Sequence, residues 1–306
     1  MSVTSPYAAD LERVPVREGA LRILGSTTRY WDYGDPDAAT TLVLVHGFRG
    51  DHHGLEPVVA QLGGLRLISP DLPGFGDSTP MTDAPHDIDG YGRWLQGFVA
   101  GLELAAGARV VLLGHSFGSI VVAGSLAASA AAGSPRPDAV VLVNPIGQPA
   151  LEGPRGLFTR LAIFYYWLAA VLPERLGFAL LRNRLIVRVM SVAMAKTRDA
   201  SLRRWIHDQH DRFFSAFSDR RVVLEAFRAS VSHDVSEYAA RVPERTLLVA
   251  AEKDDITPIA AEYRLQTLFP QAELVVIPDV GHLIHYETPV TAADAIRRFL
   301  AVGADA

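Results

Sequence analysis

Residues 110–124, VVLLGHSFGSIVVAG, run from one apolar segment through Gly114-His115-Ser116-Phe117-Gly118 into a second. A single serine is framed by two glycines at the joint. A strand that turns straight into a helix strains the residue at the turn and brings its flanks very close. Glycine at 114 and 118 removes the Cβ atoms that would collide there. The Ser116 hydroxyl is then held clear of the C-terminal edge of a sheet. The amide that follows points at the same spot, beside the positive end of a helix dipole. The competing reading is a packing turn in which the serine is incidental, and the rest of the chain must decide between them.

Working outward, Thr41–Gly47, Leu65–Gly76, Ala108–Gly114, Asp138–Pro145, Arg245–Asp255 and Ala272–His282 each contain a continuous Val/Leu/Ile run. Strands covered on both faces read this way, as in parallel sheets. Helical patterns at Tyr91–Ala105, Phe117–Ala132, Pro258–Leu268 and Pro289–Leu300 lie between them. Strand and helix in alternation predict an α/β fold with a mainly parallel sheet flanked by helices. RYWDYG, from Arg29, adds an earlier antiparallel strand. Residues 147–241 break the rhythm: no strand is legible and apolar residues recur at helical spacing. They are expected to form a helical insertion, with Pro145, Pro149 and Pro154 at its entry and Pro243 at its exit. The core is then 1–146 with 242–306.

The chain has 306 residues, 49% hydrophobic and 21% charged, which describes a globular protein. A net charge of −5 gives no sign of a nucleic-acid binder. With no cysteine there is no disulfide, thiolate metal site or cysteine nucleophile. The first twenty residues carry neither a basic nor an apolar leader region, so no signal peptide and a cytoplasmic location are expected. The longest apolar run, LAIFYYWLAAVL at 161–172, is shorter than the roughly 20 residues that span a bilayer.

A serine nucleophile needs a base, and the base needs a carboxylate to fix its tautomer. After the insertion, LLVAAEKDD ends a strand with acids and VVIPDVGH ends the next with His282. Serine, acid and histidine, in that order, lie just past strand C-termini and so share one sheet edge. Asp254 and Asp255 both qualify as the acid, and His285 competes with His282.

These pieces, with His46-Gly47-Phe48 and DLPGFGDS at 71–78, make the chain resemble the α/β-hydrolase family from about Gly19 onward. The resemblance implies that Ser116 is the nucleophile, His282 the base and Asp254 its partner. Asp254 is favoured because it stands three residues after the small Ala251 at the strand end. The oxyanion hole would be the backbone amides of Phe48 and Phe117. His46 would support that loop, the DLPGFGDS turn would be structural, and the insertion matches the family's cap domain in position.

His46, Asp51, His52 and His53 resemble a metal loop. Adjacent histidines in an extended segment point apart, however, so no metal or other cofactor is expected. A serine at residue 116 argues against dehalogenases and epoxide hydrolases that use aspartate there. Carboxylic-ester hydrolysis comes first. A carbon–carbon bond hydrolase of ring-cleavage products and a non-catalytic small-molecule binder are the alternatives.

The insertion carries 14 Arg and one Lys against 9 Asp and Glu, a net of +6, and the remainder is −11. An acidic partner or anionic surface is therefore a candidate for it, beside an ordinary solvated exterior. Its aromatics cluster as Phe158, Phe164, Tyr165, Tyr166 and Trp167, then Trp205, Phe213, Phe214 and Phe217. His115, Tyr166 and Trp167 are the candidates to line the pocket. With no arginine pair evident to clamp a carboxylate, the expected substrate is an uncharged ester with an apolar acyl or aryl part.

Overall fold

The computed structural model describes residues 3–132, 136–149 and 156–302. Its strands are β1 (Val16–Ile23), β2 (Ser26–Tyr33), β3 (Thr40–Val45), β4 (Arg66–Pro70), β5 (Arg109–His115), β6 (Ala139–Val143), β7 (Thr246–Ala251) and β8 (Ala272–Ile277). They form one eight-stranded sheet in the order β1-β2-β4-β3-β5-β6-β7-β8. Pairing is antiparallel at β1/β2 and β2/β4 and parallel from there on.

The continuous apolar runs have the expected cause. Val43 and Val45 pack into a core cluster on one face of the sheet, and Leu42 and Leu44 into another on the opposite face. Each such side chain contributes roughly 1.5–3 kcal/mol by leaving water, so a strand buried on both faces is apolar at every position. β1 departs from the sequence reading, which had only the RYWDYG strand at this edge. Its sequence, VREGALRI, is charged and largely exposed, as an edge strand can be.

The helices are α1 (Ala8–Leu11), α2 (Glu56–Val59), α3 (Ile88–Gly101), α4 (Phe117–Ala132), α5 (Gly156–Val171), α6 (Glu174–Leu181), α7 (Arg184–Met194), α8 (Ala200–Phe213), α9 (Arg220–Ser232), α10 (Ile259–Leu268), α11 (Ile284–Glu287) and α12 (Pro289–Ala301). α3 starts earlier than the apolar spacing alone predicts, because the Asp87 carboxylate accepts from the Gly90 amide at 2.8 Å and caps it. Between β6 and β7 the described chain is helical, α5 to α9 with two short 3₁₀ turns. Pro154 and the side chain of Phe158 lie outside the described residues.

From β3 the chain crosses to β4 on one side, then returns to build β5 to β8 on the other. The loops after β3 and β5 therefore diverge at adjacent strand ends. Such a switch point leaves a crevice at the C-terminal edge of an open α/β sheet.

Candidate active site

Ser116 sits between β5 and α4 with φ at +53°, in the left-handed region that costs a serine strain. The sequence tolerates this turn because of its glycines. A Cβ at Gly114 would lie 2.5 Å from the Gly118 carbonyl oxygen, and one at Gly118 would lie 2.2 Å from that of Val45. The Ser116 amide donates to Val143 O of β6 at 3.0 Å, which fixes the turn to the neighbouring strand.

His282, in the loop after β8, brings Nε2 to 2.7 Å from Ser116 Oγ and Nδ1 to 2.7 Å from Asp254 Oδ2. A carboxylate only accepts, so Nδ1 carries the proton and Nε2 is left to accept from the serine hydroxyl. Asp254 is nearly fully buried. Burial works against its charge, but His282 and the amides of Ile256 and Thr257 more than offset it and hold the carboxyl below its ordinary value. Those amides donate to Oδ1 at 2.7 and 3.3 Å. Asp255 turns the other way and pairs with Lys196 of the insertion. His285 lies on α11 and lines the same cavity without bonding to Ser116, its ring centre 4.1 Å from that of His115.

Asn144, at the end of β6, went unnoticed in the sequence. Its Nδ2 donates to Asp254 Oδ2 at 3.0 Å, from a backbone with φ at +45°. An asparagine just past a strand on the same sheet edge as the acid was the available signal.

The loop after β3 runs directly against the serine. A Cβ on Gly47 would lie 3.2 Å from Ser116 Cβ. His46 is buried, and Nδ1 donates to Gly47 O at 2.8 Å while Nε2 accepts the Leu72 amide at 2.9 Å. Burial lowers its pKa, so it remains a neutral strut between two loops. Asp71 and Ser78 are taken up by the local turn, as expected. Asp71 accepts the amides of His52 and Asp77, each at 2.8 Å, and Ser78 donates to Asp71 O at 2.8 Å. Among the described residues no protein acceptor takes the amides of Phe48 or Phe117.

Arg49 also escaped the sequence reading. It follows Phe48 with φ at +62° and is fully buried. Its guanidinium donates to Leu181 O at 2.7 Å, Phe214 O at 3.0 Å and Tyr166 Oη at 3.2 Å, all in the insertion. It stacks over Phe214 and Phe217 with its carbon 4.9 and 5.3 Å from the ring centres. This buried cation is held by carbonyl dipoles and ring faces, and it pins the loop after β3 to the helices of the insertion. A basic residue in a loop gives no sequence sign of such partners.

A cavity of about 180 Å³ opens beside Ser116 and His282, walled by Phe48, Met190, Met194, Phe214, Ile256 and Leu283 among others. His115 is part of its lining, with its pKa pushed down to about 3 by burial and then by His282. Two expected pocket residues are elsewhere. Tyr166 is buried between Arg49 and Phe227, stacked on the latter at 3.7 Å, and Trp167 points outward at 55% exposure against Phe164. Helical geometry places neighbours about 100° apart, so α5 cannot turn both toward one cavity.

The histidine loop also differs from expectation. Asp51, His52 and His53 lie on a tight 3₁₀ turn rather than an extended segment, and their ligand atoms fall within 4.8 Å of one another. One nitrogen of each ring has a carboxylate neighbour. His52 Nδ1 is 2.9 Å from Asp71 Oδ1 and His53 Nδ1 is 3.2 Å from Asp51 Oδ1. The two rings stack on Trp31 and Phe213.

The sequence model described as the alpha/beta hydrolase family matches residues 42–295. Lipase 1 of Psychrobacter immobilis is 24% identical over 273 residues, 87% of this chain and 78% of that one. The sn-1-specific diacylglycerol lipase ABHD11 of Mus musculus is 26% identical over 279 residues, 87% of this chain and 83% of its own. A solved thermophilic esterase from Thermogutta terrifontis superimposes with a TM-score of 0.71 at 21% identity, covering 94% and 98% of the two chains.

Proposed function

The chain belongs to the alpha/beta hydrolase family, and from that premise we propose that it is a serine hydrolase cleaving an uncharged carboxylic ester through an acyl-enzyme. The observation that carries this reading is the hydrogen-bonded run from Ser116 through His282 to Asp254, beside an apolar cavity. His282 takes the Ser116 proton as the oxygen attacks the ester carbonyl. The amides of Phe48 and Phe117 receive the developing oxyanion, aided by the positive end of α4. His282 then passes the proton to the departing alkoxide. In the second half it activates water against the acyl-enzyme, and Asp254 keeps the imidazole in the productive tautomer throughout.

The substrate preference follows from the walls. No Arg or Lys lines the cavity among the described residues, and Phe48, Met190, Met194, Phe214, Ile256 and Leu283 give it apolar walls beside Asp51 and several histidines. An acyl or aryl group of modest size is favoured, with the insertion acting as a cap. The lipase and esterase names of the relatives support ester chemistry. A cytoplasmic location remains part of the proposal.

A fluorophosphonate probe tests it. One label per chain on Ser116, lost in Ser116→Ala, together with turnover of p-nitrophenyl butyrate, is the expected result. Labelling without turnover of any ester would move the assignment to carbon–carbon bond hydrolysis. Folded protein that takes no label would make the chain a binding protein.

A further inference from the structure

Helix α7 is apolar on two opposite faces. Val187 and Ser191 are buried on its inner side, where Met190 and Met194 also wall the catalytic cavity. Leu185, Val189 and Val192, spaced i, i+4, i+7, form one outer stripe at 76%, 68% and 57% exposure. A helix apolar on both sides is normally covered on both sides, and here nothing in the described chain covers the second. Among the described residues, eight of the fifteen exposed large hydrophobic ones lie in the insertion, including Leu161, Phe164 and Trp167 on α5.

A groove of about 680 Å³ lies between α6, α7 and α8, reaching α7 at Arg184 and Val187 and lined also by Arg175, Arg182 and Phe178. Asp211, also in its lining, is paired with Arg188. No carboxylate among the described residues pairs with Arg175, Arg182 or Arg184. The insertion as a whole is +6. An uncovered apolar stripe beside unpaired guanidinium groups is the surface that an interfacial lipid site requires. The side chains enter the acyl boundary, and the arginines meet lipid phosphates. A second copy of this chain fits less well, because a symmetric contact through this surface would set Arg175, Arg182 and Arg184 of one copy near the same cations of the other.

We infer that the outer face of α7, with the arginine groove beside it, docks this protein on an anionic phospholipid surface and that its ester substrate is drawn from that surface. α7 meets the lipid on one side and walls the cavity on the other, which brings a lipid-dissolved ester within reach of Ser116. Docking stands on the surface alone. Only the origin of the substrate rests on the ester-hydrolase reading.

Docking is therefore measured on the full-length Ser116→Ala protein, by co-sedimentation with phosphatidylcholine vesicles with and without 30% phosphatidylglycerol. Binding is expected only to the anionic vesicles and should weaken with added salt. Arg182→Ala and Arg184→Ala should each reduce it about fivefold, and Leu185→Asp with Val189→Asp should reduce it at least tenfold. The exposed Arg297→Ala on the core should leave it unchanged. Circular dichroism and p-nitrophenyl butyrate turnover of the same variants on the Ser116 background check their folding. Equal sedimentation with both vesicle types, or binding untouched by all four insertion changes, overturns the proposal. So does sedimentation velocity that finds a dimer broken by the same changes, or full competition by millimolar glycerol 3-phosphate. If docking holds and turnover of vesicle-borne ester does not exceed that of a soluble ester, the ester-source half fails alone.

Discussion

The core and the insertion solve opposite problems with the same alphabet. In the core, side chains such as Leu42, Val43, Leu44 and Val45 are 0% exposed, and the net charge is −11, with Asp71, Asp51 and Glu262 among the buried residues. In the insertion, Leu185 and Val189 stand in solvent, arginine dominates the charge, and α7 shares its apolar residues between the cavity and the exterior. The core holds Ser116, His282 and Asp254 at three strand ends, while the insertion supplies part of the cavity wall. The three side chains are thus set by a rigid sheet edge, while part of the cavity wall comes from helices whose packing is less complete.

Adjacent acids offer the sharpest way to break that division. Asp254 meets His282 in the core and Asp255 pairs with Lys196 of the helical stretch. Asp254→Asn should lower kcat by a factor on the order of 10⁴, because the imidazole loses its tautomer. Asp255→Asn removes a partly exposed ion pair and should cost fivefold or less. Steady-state kinetics on p-nitrophenyl butyrate compares them, and a reversed ranking would move the acid by one residue.

Acid should next attack the seam between the two regions. His115 and His210 are each pushed down to about 3, and His285 well below its ordinary value. Burial is the first cause in all three, followed by His282 for His115, His207 for His210, and His115 for His285. Below the unfolded value of about 6.5 the unfolded chain binds protons that the folded chain refuses. Stability is therefore full above that pH and falls as pH drops toward about 3. The slope reaches about 1.4 kcal/mol per pH unit for each imidazole, about 4 for the three together. Urea midpoints at pH 7, 6 and 5 measure it. A flat profile would mean that these rings are protonated in the native state.

A smaller effect is expected at the pin itself. Arg49→Met keeps most of the buried volume but strands the carbonyls of Leu181 and Phe214. A loss of about 3 kcal/mol follows from unpaired buried acceptors, or about 5 °C in Tm. A thermal melt reads it, and an unchanged Tm would show that core and insertion are joined by other contacts. Least of all, kcat/KM for p-nitrophenyl esters should climb about fourfold per methylene from acetate to about hexanoate, then fall as the cavity fills. A profile flat to palmitate would indicate an open site.

The legibility of the sequence follows the same division. The strands were readable because burial on both faces leaves no alternative to Val, Leu and Ile. The turn at Ser116 was readable because close backbone approach admits only glycine at 114 and 118. Asn144 and Arg49 were not readable, since their partners lie 110 residues away in one case and 117 to 166 in the other. A polar residue in a loop carries no mark of what it will meet. Tyr166 and Trp167 were misplaced for a related reason. Composition showed that one helix face could not bury the whole run from Phe164 to Trp167, and only packing against Arg49 and Phe227 decided which way α5 turns.

By itself, then, the sequence determined the alternation of strand and helix and the chain order serine, acid, histidine. It also determined the basic excess between residues 147 and 241, because each is a local or compositional property. Tertiary structure alone decided that Asp255 turns to Lys196, that His52 and His53 share a tight turn with Asp51, and that α7 faces the cavity on one side and solvent on the other. Those outcomes depend on directions of side chains brought together across long separations, and the direction of a side chain is fixed only when its neighbours are.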